Sequence, residues 1–482
     1  MKSLFVTQEF APFFSEGGLG LTSAALPASL DALHGIRHDL VMPYYPWLVN
    51  RLSLGTEQVS ALTERQIAGH RSAATVHRLL DHDHNGNIFL IRADSWYDRA
   101  AIYRDDRYLP FPDEAARSAF FGSCVADWLA ADRRSYSLVH GNDWQSGSVL
   151  AHLRDRYPSL PLLLTIHNGF YTGELLRDEL LGLGLPAGQV GLLLQHEPDR
   201  PSLLLAGILA ADAVVTCSPG YAQELLEQTS DTPLGSALHR AEPTGIVFGV
   251  DGELWHPGAI GRSTLPFDAS NVDAGKQLNK QELQKRLRLT QDDSVPLIGV
   301  CSRVVPEKGS DLLLEALAPL LVRGSAQLVL VGPAEDALRT TLHLLGERAV
   351  GNLSYIPHFD QDIAWLTYAG ADLTVMPSRV EPCGLNQLIA YRYGTLPVVN
   401  PVGGLRDTVT DVRSDPTGGG GFLIPELSAE AVRATVLDAM EWMKQPGELT
   451  ETRRRVMEQD WSWTRTAGEY ARIHLALTER AA

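Results

Sequence analysis

Met376-Pro377-Ser378-Arg379-Val380-Glu381-Pro382-Cys383-Gly384-Leu385, followed by Tyr393-Gly394-Thr395-Leu396-Pro397-Val398-Val399 and Gly403-Gly404-Leu405-Arg406-Asp407-Thr408-Val409, is the stretch that decides the architecture. Leu373 and Val375 lead into Met376, Pro382 and Gly384 break the chain, and an apolar helical period follows at Leu385, Leu388, Ile389 and Tyr393. The pattern predicts strand, tight turn, helix. A helix start carries unpaired N–H groups and partial positive charge, and a glycine turn lets a ligand come close, so phosphate is the expected guest. Glu381 would stand before that positive end, able to accept hydrogen bonds from sugar hydroxyls. An ordinary βα turn with a capping glutamate would explain the turn taken by itself.

A second stretch, Gly299-Val300-Cys301-Ser302-Arg303-Val304-Val305-Pro306-Glu307-Lys308-Gly309-Ser310-Asp311, ends an apolar strand in a loop that offers two cations. Arg303 as a fork and Lys308 as a point charge can grip a diphosphate from two sides. Only six lysines stand against 35 arginines in the chain, which makes Lys308 a poor candidate for surface filler.

Five further signatures come in order before these two: Glu16-Gly17-Gly18-Leu19-Gly20, His140-Gly141-Asn142-Asp143-Trp144, Thr165-Ile166-His167-Asn168, Cys217-Ser218-Pro219-Gly220-Tyr221-Ala222 and Gly249-Val250-Asp251. With them the chain resembles the bacterial glycogen and starch synthase family of retaining glycosyltransferases. The resemblance implies the α/β GT-B arrangement, two doubly wound Rossmann-like domains facing a cleft, with a C-terminal helix crossing back to the first. It implies catalytic roles for His167, Arg303, Lys308 and Glu381, and donor contacts at Gly17, Gly18, Phe359, Cys383, Gly384, Leu385 and Asn386. Acceptor or sugar contacts are implied at Glu9, Asp143, Asn168 and Phe248. No motif carboxylate is an evident covalent nucleophile, so front-face retention is expected, with the departing phosphate taking the acceptor proton and Glu381 stabilising charge.

At 482 residues the chain is too long for one core. The expected division is 1–255 as the acceptor-side domain, 256–275 as linker, 276–458 as the donor domain and 459–482 as the returning helix. A net charge of −17, with 44% hydrophobic and 21% charged residues, describes a globular chain whose anion site is a local basic pocket, without nucleic acid or anionic membrane as partner. Cys124, Cys217, Cys301 and Cys383 lie far apart within or beside apolar runs, the pattern of reduced thiols in a cytoplasmic protein. The N-terminus enters a strand-like run directly, and no apolar run is long enough to span a membrane.

Along the chain, Leu4 to Thr7, a glycine-rich loop and a helical period from Leu21 to Leu33 give a strand–loop–helix unit without nicotinamide spacing. Thr75 to Ile91 reads as a hairpin turning at Asn85-Gly86, and Asp81 and Asp83 mimic a metal-binding pair that a polar hairpin tip explains as well. The apolar run Leu162 to Ile166 predicts a buried parallel strand delivering His167. Asp143 either binds hydroxyls or caps a helix, Phe359 either stacks a nucleotide base or packs in the core, and residues 415–421 form a mobile glycine loop.

Three positions depart from the family pattern: Ser15 for a donor-phosphate lysine, Phe248 for an asparagine near the sugars, and Asn386 for a threonine. On that ground the favoured expectation is a diverged enzyme, akin to the acarbose-pathway pseudo-glycosyltransferases, moving a glycosyl or cyclitol group from a nucleotide donor to a glucan-like or small acceptor without metal or cofactor. The alternatives are the housekeeping glycogen synthase using ADP-glucose and a catalytically silent sugar- or nucleotide-binding protein. Donor base (ADP, GDP, UDP or dTDP), transferred ring, acceptor size and oligomeric state stay open at this stage.

Overall fold

The computed structural model describes residues 1–14, 18–105, 109–132, 135–259 and 262–481. The chain divides into two compact units: one of residues 1–217, 222–247 and 463–482, the other of residues 218–221 and 248–462.

In the first unit the described strands are β1 (Lys2–Val6), β2 (Arg37–Pro43), β3 (Thr56–Ile67), β4 (His70–Leu79), β5 (Ile88–Arg92), β6 (Leu138–Asn142), β7 (Leu162–Ile166), β8 (Ala213–Thr216) and β9 (Thr244–Gly245). They form one sheet in the order β3-β4-β5-β2-β1-β6-β7-β8-β9. Every residue of β7 is buried, because parallel neighbours β6 and β8 take its edges and its faces are covered; the run is apolar but for Thr165, whose hydroxyl is hydrogen-bonded. Helix Trp463–Ala481 packs on helix Gly18–His34 within this unit, its Tyr470 hydroxyl 3.1 Å from Thr165 Oγ1 under the sheet. The chain leaves β1 toward β2 on one side while β6 lies on the other, so the sheet's switch point falls between β1 and β6. Ligand crevices open there, at the carboxyl ends of the strands.

The second unit repeats the plan with β10 (Leu297–Cys301), β11 (Gln327–Val331), β12 (Leu353–Ile356), β13 (Leu373–Met376), β14 (Leu396–Val399) and β15 (Phe422–Leu423), ordered β12-β11-β10-β13-β14-β15. Leu297, Val329, Val331, Leu366 and Ala371 join Leu283 and Leu289 in one core cluster. Here the switch point lies between β10 and β13, whose loops carry the two stretches that opened the sequence reading.

Residues 256–259 and 262–275, expected as a linker, pack on the second unit: Ser263 Oγ donates to Asp362 O at 2.8 Å, Asn279 exchanges two hydrogen bonds with the Leu265 backbone, and Phe267 is buried. The expected hairpin forms from β4 and β5, with Asn85-Gly86 inside a chain reversal that spans residues 80–87. Gly86 is needed for close approach, since a Cβ there would lie 1.8 Å from His38 O. Residues 415–421 form a tied turn: Asp415 Oδ1 accepts from Gly418 N at 2.8 Å, and a Cβ on Gly419 would meet Val412 Cα at 2.5 Å. Asp81 and Asp83 gather no further ligands, since no three potential metal-binding side chains group together among the described residues. No helix among those residues is long and apolar enough to cross a membrane.

Candidate active site

In the second unit the loops after β10 and β13 touch because of one residue. Gly309 has φ of 66°, and a Cβ there would lie 1.9 Å from the carbonyl oxygen of Pro377. Glycine alone fits that contact. Arg379 then clamps the neighbouring loop: its N–H donates to Glu307 O at 2.9 Å, its guanidinium meets both oxygens of Asp311 at 2.7 Å, and it also donates to Pro306 O. From the other side Asn386 Nδ2 donates to Cys301 O at 2.9 Å. Held in this way, Lys308 Nζ stands 2.7 Å from Glu381 Oε1, while Ser378 Oγ donates to Glu381 Oε2 at 3.0 Å. Both oxygens of a nearly buried carboxylate are thus satisfied, and the ammonium is the group that an incoming diphosphate would compete for.

Arg303 keeps a half-exposed guanidinium, 3.7 Å from Glu307. Phe359 is 59% exposed, which excludes the core reading and leaves its face open. Two expected ligand residues are covered instead. Phe248 is 4% exposed and groups with the second unit, and its backbone faces the buried Cys383 thiol. Burial pushes that thiol up to about 12, so it stays protonated and serves as packing. Gly384 adopts φ of 68°, with the Gln387 side chain against it, as the turn requires. The helix after it runs only from Asn386 to Arg392, too short for a large dipole. Positive charge in this half rests on Arg303 and Lys308 more than on the helix start and the Gly384-Leu385 amides.

Arg379→Lys is expected to lower kcat about tenfold, since a point charge cannot hold two carboxylate oxygens and a carbonyl together. Steady-state kinetics beside a melting curve check this; a fall in Tm with unchanged kcat would limit Arg379 to stability.

In the first unit, loops after β1, β6 and β7 converge at the switch point. Asn142 Nδ2 donates to Val6 O at 3.0 Å, which turns its Oδ1 toward His167 Nε2 at 2.9 Å. That network assigns the proton to Nε2 and leaves Nδ1 as an acceptor. Burial pushes the His167 pKa down to about 3, so the ring is neutral at ordinary pH. Asp143, with φ of 55°, accepts from the N–H groups of His167 at 2.7 Å and Asn168 at 3.2 Å. It makes no helix-capping bond; its task is to fix the loop carrying the histidine. Burial pushes the Asp143 carboxyl up to about 7 against the pull of those two N–H groups. Glu9 is buried and accepts from the Tyr103 hydroxyl at 2.8 Å, whose own acidity burial suppresses. Gly18 begins helix Gly18–His34 with open space where a Cβ would stand. Gly17 and Ser15 lie outside the described residues.

The Asp143 shift sets a pH expectation. Native Asp143 holds its proton between about 4 and 7, where the unfolded chain has lost it, so this group's contribution to stability declines as pH rises through that window. The ionised form holds both loop N–H groups more strongly than the acid does, so activity should show an acid limb with a midpoint near 7. Asp143→Asn should remove that limb from the kcat–pH profile; an unchanged limb assigns it elsewhere.

Tyr103, Asn142, Ser378 and Arg379 were not singled out from sequence. The last three lie inside quoted signatures, where their roles depend on partners far along the chain, and Tyr103 carries no local signal.

The family described as Starch synthase catalytic domain matches residues 2–240, and the family described as Glycosyl transferases group 1 matches residues 281–456. A glycogen synthase of Rhodospirillum rubrum is 34% identical over 487 residues, covering 98% of each chain. The chain belongs to the glycogen and starch synthase family. A glycogen synthase of Syntrophotalea carbinolica is 32% identical over 490 residues, 99% of each chain. The solved catalytic domain of starch synthase IV from Arabidopsis thaliana, bound to ADP and acarbose, matches with a TM-score of 0.87 at 25% identity over 99% of each chain. This family member is therefore a nucleotide-sugar glycosyltransferase of glycogen-synthase type, and its two parallel-sheet units are those of the GT-B fold. The expectation of a diverged cyclitol-transferring enzyme draws no support from these relatives, which are named glycogen synthases.

Proposed function

We propose that the chain extends an α-1,4-glucan with glucosyl units from ADP-glucose, retaining the anomeric configuration. The observation that carries this reading is the full-length likeness to glycogen synthases, joined to an intact Lys308–Glu381 pair. Two of the three departures lose their force in the structure. The Asn386 amide nitrogen donates to Cys301 O and the Phe248 ring is covered, so each has a structural role that accounts for its side chain without a new ligand. ADP and acarbose in the Arabidopsis enzyme fit the same pair of needs, a diphosphate seat and a glucan-like seat.

On this reading Arg303, Lys308 and the amides at Gly384-Leu385 stabilise the leaving diphosphate electrostatically, and Phe359 stacks the base. His167 and Glu381 hold the transferred ring, while Glu9, Asp143 and Asn168 order the hydroxyl-binding loops. Donor binding draws Lys308 from Glu381 toward phosphate. The freed carboxylate then faces the positive charge that grows at the anomeric carbon as the leaving bond stretches. The departing phosphate oxygen accepts the acceptor proton, so neither half supplies a covalent nucleophile.

Purified chain incubated with ADP-glucose or UDP-glucose and glycogen, in the presence of a chelator, tests the reading. Glucan extension with ADP-glucose preferred is expected. Binding of ADP without turnover would favour a silent binder, and turnover confined to a nucleotide-cyclitol would restore the diverged enzyme.

A further inference from the structure

Large apolar side chains rarely stand in water on a fixed loop, yet two aromatic rings follow the active-site histidine in this way. Phe170 is 76% exposed and Tyr171 36%, with ring centroids 5.4 Å apart and planes at 88°. The loop beneath them is tied at every step. Asn168 Oδ1 accepts from Phe170 N at 3.0 Å, Asn168 O accepts from Tyr171 N at 3.3 Å, and Asn168 N itself donates to Asp143. Beyond the rings, Thr172 O and Gly173 O accept from Leu204 N and Leu203 N at 3.0 and 3.1 Å. Gly173, at φ of 61°, lies so close to the Trp144 ring that a Cβ would stand 2.2 Å from it. Arg104 also donates to the Tyr171 hydroxyl at 3.2 Å.

Fixed backbone with rings left in solvent is the arrangement of a binding platform, since neither ring adds to the unit's core in proportion to its size. An α-glucan chain suits it. The C–H faces of glucose rings are apolar and pack against aromatic faces, while their hydroxyls stay in water. An α-1,4 chain also curves, so successive sugars can meet surfaces set at an angle, as this ring pair is. We propose that Phe170, backed by Tyr171, is an acceptor platform that grips a glucan chain beyond the sugar undergoing transfer and so favours long acceptors over short ones. This inference rests on the α-glucan reading above. Phe170 holds the chain at a distance from the chemistry, and its binding energy raises the residence of long acceptors in particular.

The test uses the full chain with Phe170→Ala and Phe170→Trp. Mobility in native gels containing glycogen reports binding without turnover, and kinetics with ADP-glucose compare glycogen and maltoheptaose with maltotriose. Phe170→Ala should reduce retardation by glycogen and raise the KM for glycogen and maltoheptaose about fivefold to tenfold, in the range of one lost aromatic contact. The maltotriose KM should move less, the ADP-glucose KM should stay, and Phe170→Trp should restore binding. Equal retardation and equal acceptor KM in wild type and Phe170→Ala would overturn the platform while leaving the α-glucan reading intact. A parallel rise in donor KM would overturn it too, by showing that the ring acts through the His167 loop. Wild-type protein that neither binds nor extends glycogen would overturn both.

Discussion

Lys308→Ala lowers kcat by about two to three orders of magnitude, the loss seen when one electrostatic donor to a developing negative charge is removed. Lys308 is the ammonium presented by the loop after β10, and the Gly309 contact with Pro377 and the Arg379 clamp fix the backbone from which it reaches. The same substitution strips Glu381 of one of its partners. Ser378 remains, and the carboxylate keeps slight exposure, so the stability loss should be about 1–3 kcal/mol, visible as a lower Tm in a folded protein. Kinetics equal to wild type would remove Lys308 from the mechanism.

Glu381→Gln is the second large effect, and it separates the pair's two members. The amide keeps the shape and the Ser378 neighbour but loses the charge that faces the anomeric carbon, so kcat should fall about a hundredfold. Affinity for ADP should hold or rise, because the carboxylate that competes with phosphate for Lys308 is gone. Loss of ADP affinity in step with kcat would make Glu381 a donor-binding residue and refute its role at the transferred ring. Since both residues act in one contact, the double variant should cost less than the sum of the two.

Much of the architecture was legible because parallel strands buried on both faces write unbroken apolar runs. Leu162 to Ile166 and Gln327 to Val331 lie in the structure where the sequence predicts strands. β3 was missed for the opposite reason: it is mostly solvent-exposed and polar, and it turns into β4 at Ala68-Gly69, with φ of 48° and 81°, where Ala68 gives no turn signal. The packing of residues 262–275 on the second unit was not legible, because Pro and Gly between residues 256 and 266 signal breaks in regular structure and say nothing about what the segment packs on.

The site divides in the same way. His167, Lys308 and Glu381 stand in loops that motif order pointed to, whereas the Lys308–Glu381 contact joins residues 73 apart, which spacing cannot reveal. Phe248 and Asn386 looked like altered ligand contacts because their types had changed; the structure gives each a packing or hydrogen-bonding partner within the protein. Lysine scarcity proved informative beyond Lys308. Lys276 and Lys280 are buried, with Lys276 Nζ within hydrogen-bond distance of three carbonyls and the Thr395 hydroxyl, so these two serve as internal ties while Lys285 and Lys444 stay at the surface.

Calorimetric titration of ADP and of AMP into wild type and Lys308→Ala tests the diphosphate seat most directly. If the ammonium serves the outer phosphate, ADP loses at least about tenfold in affinity, roughly the worth of one charge-assisted hydrogen bond, while AMP binds both proteins alike. Equal losses for the two nucleotides, or none for either, would contradict the account.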